Sequence, residues 1–214
     1  MGKPIASTAM TALALAAALT AAASLSGRAA LPNANPEDSL RGFYDTLLGT
    51  MKQGRTLGHS GRYARIEPVV NRLFDIPFMA RLATGPAWAG LNPGQQQQIA
   101  AAFGRYISAT YADRFDSYSG ERLEVAGQQP SAAGIIVQTR IVKSSGEPVS
   151  IDYLMHQGGA GWTIADVYLD GSISQLATER SEFDAIVRRQ GVDGLIATLN
   201  RKVDFLTRDV AQGS

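Results

Sequence analysis

The change of hydrophobic period near Glu121 constrains this chain more than any other feature. Upstream, apolar residues recur every three or four positions. From Arg122 to Leu169 they alternate, and beyond that the helical period returns. A chain ordered as helices, strands and helices lacks the βαβ repeats that build parallel sheets. It points instead to an α+β fold, with helices packed on one face of an antiparallel sheet.

The helical part carries its own punctuation. Asn35-Pro36-Glu37-Asp38 offers a capping side chain, a proline at the first helical position and acids in the first turn. Leu40, Phe43, Tyr44, Leu47, Leu48 and Met51 then form one stripe. Residues 54–61 read as a loop holding His59. A second helix follows with Tyr63, Ile66, Val69, Val70, Leu73 and Phe74, despite Pro68. Asp75 caps a short third helix bearing Phe78, Met79 and Leu82, which Gly85-Pro86 stops. Asn92-Pro93 opens the longest continuous stripe, Ile99 to Tyr111.

Segments 122–129, 134–143, 148–157 and 161–169 read as about four strands joined by short turns, hence an antiparallel meander. Alternation puts Ile135, Val137, Thr139 and Ile141 on one face, with Val149, Ile151, Tyr153 and Met155. Ser150, Asp152 and His156 take the other. The apolar face needs a cover, which the helices supply. Ser172 or Ser174 starts the returning helix through Phe183, Ile186 and Val187. Gly191 divides it from a last helix over 192–206.

Composition narrows the chemistry. There is no cysteine, so disulfides, thiolate metal sites, cysteine nucleophiles and lipoprotein acylation are excluded. Only two histidines are present, His59 and His156, without metal-binding spacing. Gly58-His59-Ser60-Gly61 lacks the context of a nucleophile elbow. Gly158 to Gly161 lies between strands, where glycines serve a hairpin rather than a phosphate cradle. Twenty cations against 19 anions give no basic excess for nucleic acid. Asp166 falls, by alternation, on the face of Trp162 and Ile164. There it is either paired, with Arg180 as candidate, or working as an acid or base.

The N-terminus reads as an address. Lys3 precedes an apolar, alanine-rich run from Ala9 to Ala23, then small residues to Ala30. That run is shorter than the ~20 residues a spanning helix needs, so residues 1–30 read as a cleaved signal peptide and 31–214 as one domain. The mature chain is expected to be exported.

Four strings, in order, resemble the MlaC/toluene-tolerance family of periplasmic phospholipid carriers. They are Phe74-Asp75-Ile76-Pro77-Phe78-Met79-Ala80, Trp88 with the Gln95 to Phe103 helix, Gly161-Trp162-Thr163-Ile164-Ala165-Asp166-Val167, and Arg180-Ser181-Glu182-Phe183. The stretch from Asp166 to Phe183 looks closer still to the hopanoid-associated HpnM branch. Glu179 departs from the commoner family, which has tyrosine there.

The resemblance implies a soluble carrier with no catalytic residues and no cofactor, shuttling phospholipid or a hopanoid-like lipid. It also implies two partners: an inner-membrane ABC transporter with an MCE-domain subunit and an outer-membrane lipoprotein-porin complex. Combined with the apolar faces, it places Phe74, Phe78, Met79, Leu82, Phe103, Ile107, Val137, Ile151, Tyr153 and Trp162 on an apolar pocket between helices and a curved sheet. The alternatives are an exported small-molecule enzyme using Asp166 with Tyr153 or His156, and an envelope scaffold.

Overall fold

The computed structural model of the chain describes residues 35–144, 146–159 and 161–208; the expected signal segment lies outside them. The helices are α1 (Pro36–Met51), α2 (Gly54–Leu73), α3 (Ile76–Thr84), α4 (Pro93–Arg114) and α5 (Gln175–Thr207). A 3-10 turn, Gly85–Gly90, links α3 to α4. The strands are β1 (Arg122–Ser131), β2 (Gly134–Val142), β3 (Val149–Gly158), β4 (Gly161–Leu169) and β5 (Ile173–Ser174).

The caps read from the sequence close the helix starts. Asn35 Oδ1 accepts from the Glu37 N–H at 3.2 Å, and Asp75 Oδ1 from the Phe78 N–H at 3.1 Å. Asn92 and Gln95 exchange bonds in a full capping box at 2.9 and 3.2 Å. Ser174 Oγ accepts from the Ala177 N–H at 2.9 Å. Each satisfies an orphan donor of a first helical turn.

The strands pair antiparallel in chain order, β1-β2-β3-β4-β5. The two-residue β5 is an addition to the expected meander, because a pair so short shows no period. On the apolar face the register sets Val137 beside Tyr153 and Tyr153 beside Val167; Ile151 stands beside Leu169. α1 lies against β1 and β2 on that face, and α4 packs between α2 and α5. Leu40, Phe43, Leu47, Ile66, Ile99, Phe103, Tyr153, Ile164 and Phe183 are among the buried residues of one continuous core.

Two expectations are corrected. Residues 54–61 belong to α2, which is interrupted only at Gly58, and His59 is buried at 4% exposure rather than set in a solvent loop. As expected, α4 is the longest unbroken helix, and Gly191 divides α5 into a returning and a last helix. β4 carries a bulge: Met155 pairs with Ile164 but Leu154 with Asp166, so Ala165 is extra and the alternation inverts. Asp166 therefore lies on the face opposite Ile164.

Gly191 breaks α5 at φ 69°, ψ −174°, a conformation essentially confined to glycine, and nothing lies within 4 Å of where its Cβ would be. An alanine there meets a backbone penalty alone. Gly191→Ala is expected to lower the unfolding free energy by about 2 kcal/mol in a urea titration. A more stable variant would show that the break is not needed.

Candidate functional site

Where α1 covers the sheet, the apolar face is fully occupied. The Tyr44 hydroxyl meets Thr139 Oγ1 at 2.5 Å and lies 3.5 Å from the Tyr153 hydroxyl, which is 3.4 Å from that of Tyr111. Thr139 Oγ1 also donates to the Ile151 carbonyl. This chain of hydroxyls crosses the core with its members bonded to one another, as burial of polar groups demands. Burial raises the Tyr44, Tyr111 and Tyr153 phenols above their ordinary range, so all three stay protonated. Around them, Phe43 sets its edge against Phe74 and Tyr111 at 5.7 and 5.2 Å between centroids, and Phe115 stacks on Tyr111 at 5.7 Å.

At the other end of the same face the helices stand clear of the strands and leave a cavity of about 500 Å³. That size falls in the ~300–1,000 Å³ range of ligand pockets. Phe74, Met79, Phe103, Ile107, Phe115, Val167 and Leu176 are buried parts of its wall. Ile141, Val149, Ile151 and Leu169 supply the sheet side, and Tyr111 joins it to the hydroxyl chain. Exposed Arg114, Asp116, Lys143 and Asp170 mark its rim.

Five of the ten expected wall residues line the cavity: Phe74, Met79, Phe103, Ile107 and Ile151. The other five do not. Phe78 lies about one residue's turn around α3 from Met79 and sets its ring edge-on to His156, centroids 4.9 Å apart. Leu82, one turn further along that stripe, packs half-buried against the core. Val137 and Tyr153 are paired in mid-sheet and fully buried, and Trp162 stands at the opposite end of β4 from Leu169. Alternation reports the face of a strand but not which part of it a helix will cover.

The residues missed are informative. Ile141 and Val149 were on the right face by alternation, and Tyr106 and Tyr111 were in the α4 stripe. Met51 was in the α1 stripe, whereas Arg114, Lys143 and Gln175, at the ends of their elements, carried no signal. Glu179 stood out only as a departure from a resemblance. It lines the cavity, and burial, chiefly, holds its carboxyl above the usual range.

The acid-base reading of Asp166 does not assemble. Its oxygens accept from Ser174 Oγ at 2.6 Å, from its neighbour's N–H in Val167 at 2.7 Å, and from the Leu176 N–H at 3.1 Å. It thus clamps the start of α5 to β4, where a negative charge also suits the helix dipole. Its hydrogen-bond partners do not include the expected Arg180, whose guanidinium lies near Gly85. His156 Nε2 pairs instead with Asp75 Oδ2 at 3.0 Å, and Tyr153 belongs to the hydroxyl chain.

Residues 41–201 match the sequence profile of the MlaC protein family. The fold matches a solved phospholipid-binding protein of Ralstonia solanacearum in complex with a phospholipid. The match has a TM-score of 0.71 at 23% identity, covering 82% of this chain and 100% of that one.

Two outcomes test this geometry. Asp166→Ala removes three accepted bonds and is expected to lower the unfolding free energy by about 3 kcal/mol in a urea titration; a loss within ~0.5 kcal/mol would refute the clamp. For Glu179 the folded pKa lies above the unfolded one. Stability from this group is therefore present at acid pH and is lost as pH rises through the ordinary carboxylate range toward the folded value. Tyr106, Arg114, Glu182 and Lys202 are the charged and titratable groups acting on it. Thermal melting of wild type and Glu179→Gln at pH 4 and pH 8 should show the difference moving in the variant's favour by a few degrees at pH 8.

Proposed function

Because this chain belongs to the MlaC family, we propose that it is a lipid carrier, binding and transporting rather than transforming its cargo. In this reading residues 1–30 direct export, residues 31–214 form one lipid-binding domain, and the protein works in the periplasm. It shuttles phospholipid, or a hopanoid-like lipid if it belongs to the HpnM branch. It would do so between an inner-membrane ABC transporter with an MCE-domain subunit and an outer-membrane lipoprotein-porin complex.

The observation that carries the reading is the apolar cavity, with Phe74, Met79, Phe103, Ile107 and Ile151 on its wall. It sits in a fold shared with a phospholipid-bound protein. The physical need is large. Two acyl chains of ~30 methylenes at ~0.8 kcal/mol each would cost roughly 24 kcal/mol to expose to water. A protein that replaces the bilayer's apolar surroundings offsets most of that cost, so the net transfer free energy can be small. Direction then comes from docking partners or an energised transporter, because a carrier shifts only what it binds differently in two states.

Native mass spectrometry of the mature protein, purified from its own periplasm without detergent, tests the proposal. A stoichiometric lipid is expected, and its extraction and identification separate phospholipid from hopanoid. Ile151→Arg places a charge on the half-buried sheet wall and should reduce the bound fraction about tenfold, with melting shifted only a few degrees. A wild-type protein that carries nothing and takes no lipid from labelled vesicles would overturn the carrier reading.

A further inference from the structure

One carboxyl on the cavity wall is unaccounted for by an apolar cargo alone. Glu179 stands one turn along α5 from Gln175 and Leu176, all three on the cavity. Its Oε2 is buried and has no hydrogen-bond partner. The groups nearby leave that oxygen unserved. Tyr106, also on the wall, reaches the same carboxyl from α4. Lys202 Nζ makes its short bond, 2.7 Å, to Glu182 Oε2 and lies 5.0 Å from the Tyr106 ring centroid. Lys202 therefore compensates charge without occupying Oε2.

A carboxyl oxygen buried without a donor, on a side chain that borders a ligand space, is costly until a turn of the side chain lets something supply one. We propose that Glu179 is a specificity-determining residue: its carboxyl, turning from the wall into the cavity it borders, accepts a hydrogen bond from a hydroxyl or ammonium at the polar end of an amphiphile whose apolar part fills the cavity. This rests on the carrier reading above. It deepens that reading by selecting cargo with a donor over cargo whose polar end only accepts. Arg114, on the same cavity and electrostatically coupled to Glu179, can face an anionic group of that cargo while Glu179 takes the donor.

The test uses delipidated mature protein, wild type, Glu179→Gln and Glu179→Leu. Each is offered vesicles of phosphatidylethanolamine or of phosphatidylcholine, which differ by methylation of the ammonium donors. In a second arm each is offered hexadecanol or its methyl ether. Wild type is expected to prefer the donor-bearing member by about tenfold, the ordinary cost of one lost hydrogen bond to a buried polar group. A preference confined to the vesicles identifies an ammonium headgroup as the source, and one confined to the alcohol identifies a hydroxylated lipid; either supports the proposal. Glu179→Leu should lose the preference yet still take up both members. Glu179→Gln, whose carbonyl still accepts, should keep part of it.

Equal uptake of both members by wild type, or a preference that survives in Glu179→Leu, overturns the assignment and leaves the carrier reading standing. Uptake of none of the four amphiphiles overturns both.

Discussion

The outward edge of β4 is the constraint on which the rest of the structure depends. A strand edge presents unpaired N–H and C=O groups that must find partners when buried. Here three different segments serve it. The Asp75 N–H reaches the Ile164 carbonyl at 2.9 Å, β5 pairs with Tyr168 and Leu169, and the Asp166 carboxylate holds the Leu176 N–H between them. The first contact starts α3 and the last starts α5. Met79, Leu176 and Glu179 reach the cavity because their helices begin at this edge. Both aspartates lie in the strings that carry the family resemblance, and both act as helix-start anchors. Asp75 also holds His156 across the β3–β4 pair.

The apolar face of the sheet is divided in its use. Toward one end α1 and the aromatic cluster fill it, and the hydroxyls of Tyr44, Tyr153, Tyr111 and Thr139 satisfy one another across it. A satisfied buried network rigidifies what it joins. Tyr111 belongs both to that network and to the cavity wall, so the packed half of the face gives the open half a fixed boundary. Phe183, from the string after Asp166, sets its ring against Phe103 at 5.6 Å and thereby holds α5 to the α4 wall. The cavity is thus the part of the face that α1 and α5 border, through Met51 and through Gln175, Leu176 and Glu179, without filling it.

Much of the fold was legible residue by residue. Asn35, Asp75, Asn92 and Ser174 announced helix starts because capping is local chemistry, set within three or four residues. β4 runs from Gly161 to Leu169, the bounds expected for it. Asp166 was misplaced because a bulge adds one residue and leaves no mark on composition; only the pairing partner on β3 reveals it. His59 was misplaced because glycines on both sides suggested a loop, whereas Gly58 alone departs from helical geometry. For the candidate site, Phe74, Met79, Phe103, Ile107 and Ile151 were reachable from face and period. Phe78, Leu82, Val137, Tyr153 and Trp162 share those periods and still fall elsewhere.

By itself the sequence determined the order of elements, their caps, the face of each strand that must be hidden, and the chemistries closed to a chain without cysteine. Those are properties of neighbours a few bonds apart, and water-driven burial of apolar stripes enforces them wherever the chain goes. Tertiary structure alone decided where along the sheet the helices stop covering it, which way β4 turns after Ala165, and that Glu179 borders the cavity with one oxygen buried and unserved. Each of these depends on groups separated by many residues, and docking at a shared strand edge sets them.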